Sequence, residues 1–243
     1  MTKELKNITL DKDFKFISSE LSEELPMIYS TIENNVLKNA TKEDASYILT
    51  KYKDFDAMKE GFITLKIAKR LKINTITFKV FRDKNYSDIF ILLKYYKDLQ
   101  KIGSIESTNS FLKQELVYNK ILDKEAFFRQ LVFNFFIYNV NFDTHDLHYY
   151  TKTKKIGPLL DISIYDRQDK QRGYLFEPLI KSIINPAKKY FSNDYIREEI
   201  SEISSRILKM LKNKRMIKFY EKKILDEVIA YVEIQSKMAK RYL

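Results

Sequence analysis

The stretch that decides the fold runs from Phe127 to His148 and reads FFRQLVFNFFIYNVNFDTHDLH. Its first half is apolar almost all round, which predicts a buried helix over Lys124–Asn139 in the middle of a domain. Its second half is a polar segment that contains both histidines of the chain, His145 and His148. These histidines stand beside Asp143, so the segment brings together residue types that can bind a metal or move a proton.

A second acidic segment follows soon afterwards. The basic turn TKTKK leads into IGPLLDIS (Ile156–Ser163), which contains Asp161. An aspartate, a ligand five positions later and a second aspartate after a short hairpin form a layout used for phosphoryl transfer. There the first aspartate accepts the proton of the substrate hydroxyl, and the other two residues hold metal ions. The spacing predicts these roles for Asp143, His148 and Asp161.

A zinc or other transition-metal site is an alternative interpretation of the same segment. His145 and His148 lie three residues apart and Asp143 is close by, so three ligands are available. The nearby sequence offers no clear fourth ligand. We therefore prefer the phosphoryl-transfer interpretation.

Strand patterns dominate before residue 100. SYILTKYK (Ser46–Lys53) is rich in aromatic and aliphatic residues, as strands are. NTITFKVFR alternates strictly and is followed by IFILLKYY (Ile89–Tyr96), which predicts an antiparallel hairpin with one buried face. Between these strands, Ala57–Lys72 has the period of an amphipathic helix. Because glycine weakens a helix interior, we consider a start at Gly61 as an alternative.

Helical patterns dominate after about residue 105, and Asn193 is a plausible N-cap of one long helix. The division predicts an α+β fold. A small β-rich N-lobe would cover residues 1–98, with one helix at about 58–72, and a larger helical C-lobe would cover residues 99–243. The helix after Asn193 has one apolar stripe: Ile196, Ile200, Ile203, Ile207 and Leu211.

The composition excludes some classes of protein. Cysteine is absent, so disulfides and thiolate chemistry are excluded. No run approaches the roughly 18 apolar residues of a membrane-spanning helix, and the charged N-terminal segment is unlike a signal peptide. The net charge of +11 attracts phosphate-bearing partners, which keeps a basic nucleic-acid-binding protein as an alternative. However, the 44 basic residues alternate with 33 acidic ones, as on a solvated surface.

The stretch Phe127–His148 together with IGPLLDIS resembles the C-terminal core of the HipA-like serine/threonine kinases. The pattern of that family is approximately F-x-R-x-x-x-F-N-x-x-I-G-N-x-D-x-H-x-x-N, followed by P-x-Y-D-[IL]. A bilobal protein-kinase-like fold is implied, with Asp143 as the catalytic base and His145 as a residue that orients its loop. The counterparts in this chain are Phe127, Arg129, Phe133, Asn134, Ile137, Asn139 or Asn141, Asp143, His145, Pro158 and Asp161.

The resemblance also assigns residues upstream to ATP. The strand of Ser46–Lys53 is similar to the one that carries the ATP-contacting lysine, which implies Lys51, with Lys53 as second choice. The helix at about 58–72 is similar to the one that supplies an acidic partner for that lysine, which implies Glu60.

Two further segments correspond to nucleotide contacts. IFILLKYY lies where the family has its hinge, so the backbone of Leu93, Lys94 and Tyr95 is implied to contact adenine. The segment FISSELSEELPMI is similar to a loop at the phosphates. Ser18 and Ser19 are therefore implied to contact phosphates or to be autophosphorylated.

The resemblance implies ATP with Mg²⁺ or Mn²⁺ as cofactors and a protein substrate with a Ser or Thr hydroxyl. It further implies a toxin–antitoxin setting with an antitoxin partner in the bacterial cytoplasm, or secretion as an effector into a host cell. No membrane and no direct nucleic-acid ligand are implied. His148 stands where the family has asparagine, and the segment around Ser18 and Ser19 lacks glycine. A pseudokinase that binds nucleotide or protein is therefore an alternative.

Overall fold

Among the described residues, strands precede residue 102 and helices follow it, apart from one early helix and one late strand. The structure is a computed structural model that describes residues 8–14, 27–52, 55–82, 89–101, 117–137, 148–159, 176–213 and 222–242. The elements are β1 Thr9–Leu10, β2 Met27–Glu33, β3 Val36–Asn39, β4 Tyr47–Tyr52, α1 Phe55–Arg70, β5 Phe78–Arg82, β6 Ile89–Lys94, β7 Leu99–Lys101, α2 Lys124–Ile137, β8 His148–Tyr150, α3 Phe176–Ala187, α4 Asn193–Leu211 and α5 Lys222–Ala239. This is the predicted α+β organisation.

Six strands form one sheet in the order β1-β3-β2-β4-β6-β5. Neighbouring strands are antiparallel except β1 and β3, which are parallel. The predicted strand at Ser46–Lys53 is confirmed as β4. The predicted hairpin is confirmed as β5 and β6, in which Phe78 lies opposite Leu93 and Arg82 lies opposite Ile89.

The hairpin of β2 and β3 turns through only two residues, Asn34 and Asn35. Their φ angles are 49° and 64°. Both values lie in the left-handed region that a type I′ turn requires, and asparagine tolerates this region better than most residues. The turn sets the pairing of Glu33 with Val36.

Helix α1 begins at Phe55 and ends at Arg70. The predicted helix is confirmed, but the alternative start at Gly61 is wrong because Gly61 lies inside it. One glycine costs a helix only about 1 kcal/mol, which tertiary burial offsets. The apolar face of the second half is buried: Ile63, Ile67 and Ala68 are at most 2% exposed.

Helix α2 lies in the core, as its sequence predicts. Between Phe127 and Ile137 only Arg129 is more than slightly exposed. The stripe predicted on α4 is also buried throughout. The predicted N-cap is wrong by one residue: Ser192 caps α4, because its Oγ accepts the Tyr195 N–H at 3.2 Å, and Asn193 is the first helical residue.

The chain divides into two compact units. The sheet unit comprises residues 1–58 and 76–97, and the helical unit comprises residues 59–75 and 98–243. The sheet unit ends next to the boundary predicted at residue 98, and most of α1 belongs to the helical unit. The assignment of two lobes at 1–98 and 99–243 stays a prediction. None of the helices that the structure describes is long and apolar enough to cross a membrane.

Candidate functional site

The structure describes only part of the predicted site. Lys51 lies on β4 opposite Phe90, and Glu60 lies on α1, but the side chains of Lys51 and Glu60 are outside the described part. Their predicted contacts with ATP, and with each other, stay predictions. Five predicted site residues lie wholly outside the described residues: Ser18, Ser19, Asp143, His145 and Asp161.

A short hairpin connects the two acidic segments. Strand β8 begins at His148, whose carbonyl oxygen accepts the Gly157 N–H at 2.6 Å. Nearer the turn, the Tyr150 N–H donates to the Lys155 carbonyl at 2.9 Å. In sequence, Asp143 precedes His148 by five residues and Asp161 follows Gly157 by four. Both acidic segments therefore depart from the same end of this hairpin.

Strand β7 pairs with the other edge of β8. Lys101 lies opposite His148 and Leu99 opposite Tyr150. Leu99 also limits the residue at position 157, because an added Cβ there would lie 2.6 Å from the Leu99 Cδ1 and 2.9 Å from the His148 carbonyl oxygen. Glycine at position 157 thus permits the close approach that joins the two ends of the hairpin.

Two side-chain amides on α2 are buried, and one of them contacts the hairpin. Gln130 is 2% exposed and Asn134 is 3% exposed, and their spacing places them on one face of the helix. The Gln130 Nε2 donates a long hydrogen bond of 3.4 Å to the Gly157 carbonyl oxygen. Among the described residues, the Gln130 Oε1 and the Asn134 Oδ1 have no hydrogen-bond partner. The sequence signal for these residues is two amides, one turn apart, in an otherwise apolar helix.

Leu159, which precedes Asp161 by two residues, is also held by the segment that follows α1. The Leu159 N–H donates to the Asn74 carbonyl oxygen at 3.0 Å, and Leu159 forms a parallel bridge with Thr75. Asn74 and Thr75 follow the end of α1. The position of Leu159 therefore depends on where α1 ends.

Two arginines hold the C-terminal end of α1. Arg129 on α2 donates from Nη2 to the Leu71 carbonyl oxygen at 3.0 Å. Arg206 on α4 donates from Nη2 to the Arg70 carbonyl oxygen at 3.5 Å. Cations are favourable at the C-terminus of a helix because they interact with its dipole. Arg129, which the family pattern includes, thus has a structural role here.

The same Arg129 pairs with Glu199 on α4. The side chains of Arg129 and Glu199 are only 19% and 14% exposed, and Glu202 lies 3.9 Å from the guanidinium. Burial raises the pKa of Glu199 from its ordinary value, although Arg129 acts in the opposite direction. Desolvation of the carboxylate outweighs the attraction, as is common for buried ion pairs.

The predicted hinge residues are engaged in the sheet. Leu93 pairs with Ile48 on one side and with Phe78 on the other. The Lys94 N–H donates to the Thr77 carbonyl oxygen at 2.8 Å, and the Tyr95 N–H donates to the Ser46 carbonyl oxygen at 2.9 Å. An adenine contact at these residues stays a prediction, and it cannot use the N–H groups of Lys94 and Tyr95 without breaking the sheet.

No metal cluster forms within the described ranges, since no three His, Asp or Glu side chains gather there. His148 is half-buried at the start of β8. An open groove of about 640 Å³ lies on α5, lined by Lys222, Asp226, Glu227 and Ala230. None of the predicted site residues lines this groove.

Comparison with solved structures identifies the fold. The chain is similar to HipA of Shewanella oneidensis MR-1, from the toxin–antitoxin system HipA, HipB and its operator DNA complex, with a TM-score of 0.59 and 10% identity. That match covers 90% of this chain and 63% of HipA, so the chain spans less than two thirds of that protein. The chain also matches the Helicobacter pylori proinflammatory kinase CtkA, with a TM-score of 0.49, 13% identity, and coverage of 88% and 92%.

No protein-family model and no curated protein matches the sequence. At 10% identity, the likeness to HipA shows the fold alone. The chain therefore has an α+β, HipA-like kinase fold, and the predicted fold class is confirmed.

Proposed function

We propose that the chain is an ATP-dependent serine/threonine protein kinase similar to HipA-type toxins. It would transfer the γ-phosphate of ATP to a protein hydroxyl, including one of its own. The observation that carries the proposal is the HipA-like fold over 90% of the chain. The hairpin that joins His148 to Gly157 supports it, because the segments with Asp143 and Asp161 extend from one end of that hairpin.

In this proposal the residues of the helical unit perform the transfer. Asp143 accepts the proton of the substrate hydroxyl, and His145 orients the loop around it. Asp161 and His148 are the proposed metal ligands. A carboxylate with an imidazole fits a divalent cation, and imidazole favours Mn²⁺ over Mg²⁺ more than an asparagine oxygen would. When bound, the cation neutralises charge on the triphosphate.

The remaining proposed residues bind the nucleotide. Lys51 contacts the phosphates and Glu60 orients its ammonium group. Ser18 and Ser19 contact phosphates or accept one. The adenine contact belongs near Leu93–Tyr95, and its N–H donors come from residues after Tyr95, because the Lys94 and Tyr95 N–H groups bond within the sheet.

The proposed partners are also based on the similarity to HipA. The similar HipA structure contains HipB and operator DNA. We therefore propose an antitoxin protein as a partner, and a protein with an accessible Ser or Thr as substrate. The proposed setting is the bacterial cytoplasm, or a host cell that receives the chain as an effector.

The test is incubation with labelled ATP and either Mg²⁺ or Mn²⁺. The wild-type protein should incorporate phosphate into itself or into an added mixture of proteins. The rate of incorporation should fall about a hundredfold or more in Asp143→Ala. Asp161→Ala should lose at least as much because it removes a metal ligand. Asp226→Ala, an exposed carboxylate on α5, is the control and should be unchanged. Equal incorporation by wild type and Asp143→Ala would contradict the proposal.

A pseudokinase is the second candidate, and His148 at the asparagine position of the family favours it. In this case ATP raises the melting temperature without phosphate transfer. Measuring the thermal shift and phosphate incorporation in the same samples separates the two functions. Replacement of His148 by asparagine should then restore transfer with Mg²⁺ if the imidazole alone prevents it.

A further inference from the structure

The amide of Gln130 is unusual for its position. Helix α2 is buried on nearly all sides, and ten of its residues from Phe127 to Ile137 are buried, mostly phenylalanine and aliphatic side chains. An amide in such surroundings is unfavourable unless it is hydrogen-bonded. Gln130 donates to the Gly157 carbonyl oxygen at 3.4 Å, so its polar contact is with the hairpin rather than with its own helix.

The backbone of Gly157 links this contact to His148. Its carbonyl oxygen accepts from Gln130, and the N–H of Gly157 donates to the His148 carbonyl oxygen at 2.6 Å. Leu99 packs against the position where a Cβ would stand. A continuous path of hydrogen bonds therefore runs from the buried helix through the backbone of one residue, Gly157, to the residue that begins β8.

We infer that Gln130 is a positioning residue that holds the backbone of Gly157 through its carbonyl group and thereby fixes His148 and the end of the hairpin from which both acidic segments depart. The role of His148 as a metal ligand rests on the proposed function, but the positioning itself does not. Gln130 touches neither nucleotide nor substrate in this proposal. It acts only through Gly157.

The composition of the chain allows a direct measurement. There are only two histidines and four glycines, so labelling of these residue types gives few NMR signals. His148 is assigned by comparison with the His148→Asn variant, and Gly157 by elimination, with alanine placed in turn at the other three glycines, Gly61, Gly103 and Gly173. The position of the His148 ring signal, at one fixed pH, and the hydrogen-exchange rate of the Gly157 amide report on the hairpin without any need for catalysis.

Gln130→Met keeps most of the side-chain volume and removes the donor. We expect it to move the His148 ring signal and to speed exchange of the Gly157 amide by about two- to tenfold, the range of an ordinary hydrogen bond. The control is Gln235→Met on α5. Gln235 is 4% exposed, and its Oε1 also lacks a partner among the described residues. This variant should lose similar stability and leave both signals unchanged.

The inference is overturned if Gln130→Met leaves both signals unchanged, or if Gln235→Met changes them equally. Should Gln130→Met fail to fold, Gln130→Asn retains a buried amide that is one carbon too short to reach Gly157. It should give the same two changes, and their absence overturns the inference as well.

Activity separates this inference from the proposed function. If the chain transfers phosphate, Gln130→Met should lower kcat about ten- to hundredfold with little change in the KM for ATP, since misplaced groups affect the reaction more than binding. An active Gln130→Met with wild-type kcat contradicts the link to catalysis. If no variant transfers phosphate but the NMR changes occur, the positioning holds and the proposed function fails.

Discussion

The sheet unit and the helical unit bury their apolar residues in different ways. Among the described residues, the sheet unit has a small cluster to which β2, β3, β4 and β6 contribute one buried residue each. In the helical unit, the central helix α2 is enclosed by its neighbours and packs on α3, α4 and α5. The cluster of the sheet unit consists of Ile8, Phe14, Ile28, Leu37, Leu49 and Leu92.

This difference predicts a different local stability for each unit. A region with few buried apolar contacts opens locally at a lower free energy than a densely packed one. The residue proposed to contact the ATP phosphates, Lys51, lies in the sheet unit, whereas Asp143, His148 and Asp161 belong to the helical unit. We therefore predict that the sheet unit opens at a lower free energy than the helical unit. Under the proposed function, the phosphate contact of Lys51 would then lie in the unit that opens more easily.

The largest expected effect tests this contrast in the two cores. Phe136→Ala removes a fully buried ring. This ring packs edge-on against the ring of Phe135, with the two ring centroids 5.1 Å apart. It should lower the free energy of unfolding by about 3–5 kcal/mol. Leu49→Ala, at the centre of the sheet cluster, should cost about 2–4 kcal/mol. Urea unfolding followed by circular dichroism measures both values.

Hydrogen exchange measures which unit loses amide protection in each variant. We expect Leu49→Ala to reduce amide protection mainly in the sheet unit, while α2 and α4 remain protected. Phe136→Ala should reduce protection in both units if the sheet unit depends on the helical one. An equal loss of protection in both units with both variants would show one cooperative structure and would end the comparison.

The next effect concerns Arg129, which connects three helices of the helical unit. Arg129→Met should cost about 1.5–3 kcal/mol, because it leaves Glu199 without its ion pair and the Leu71 carbonyl oxygen without its donor. The control is Arg197→Met on α4. Arg197 pairs with Asp194 and is 53% exposed, so its loss should cost less than about 0.5 kcal/mol. Chemical denaturation of both variants measures the difference.

The cost of Arg129→Met should depend on pH. Burial already raises the pKa of Glu199 above its ordinary value of 4.5, and Arg129 lowers it. Without Arg129 the folded-state pKa rises further. When the pKa of an acidic group is higher in the folded state than in the unfolded state, the group stabilises the fold fully at pH values below its unfolded-state pKa. This stabilisation is lost as pH rises through the folded-state pKa. The destabilisation should therefore increase from about pH 4.5 upward, and Glu199→Gln in the same background should remove this increase.

Periodic patterns made most elements predictable. β4, the β5–β6 hairpin, α1, α2 and the stripe of α4 were all apparent from local spacing, because burial of one face imposes a period on the sequence. The type I′ turn was missed although its signal was present. Asn34-Asn35 between two apolar segments is typical of a two-residue hairpin, since asparagine tolerates positive φ.

Other features depend on contacts that local patterns do not contain. β7 pairs with β8 although 46 residues separate Lys101 from His148, and nothing in the sequence of Leu99–Lys101 requires that pairing. The polar contact of Gln130 is of the same kind. The motif around Asp143 and Asp161 pointed to the fold that the likeness to HipA shows, whereas the roles of those aspartates remain predictions.

The smallest effect concerns the start of α4, where the sequence and the structure place the N-cap one residue apart. Ser192→Ala should cost about 1 kcal/mol, because the Ser192 Oγ accepts the Tyr195 N–H and alanine has no side-chain acceptor. Asn193→Ala is the matched control. Asn193 is already inside the helix, where alanine is the better helix former, so this change should be neutral or slightly stabilising. Thermal unfolding of both variants measures the difference. A larger loss of stability for Asn193→Ala than for Ser192→Ala would place the N-cap at Asn193, as the sequence alone predicts, and would shorten α4 by one residue.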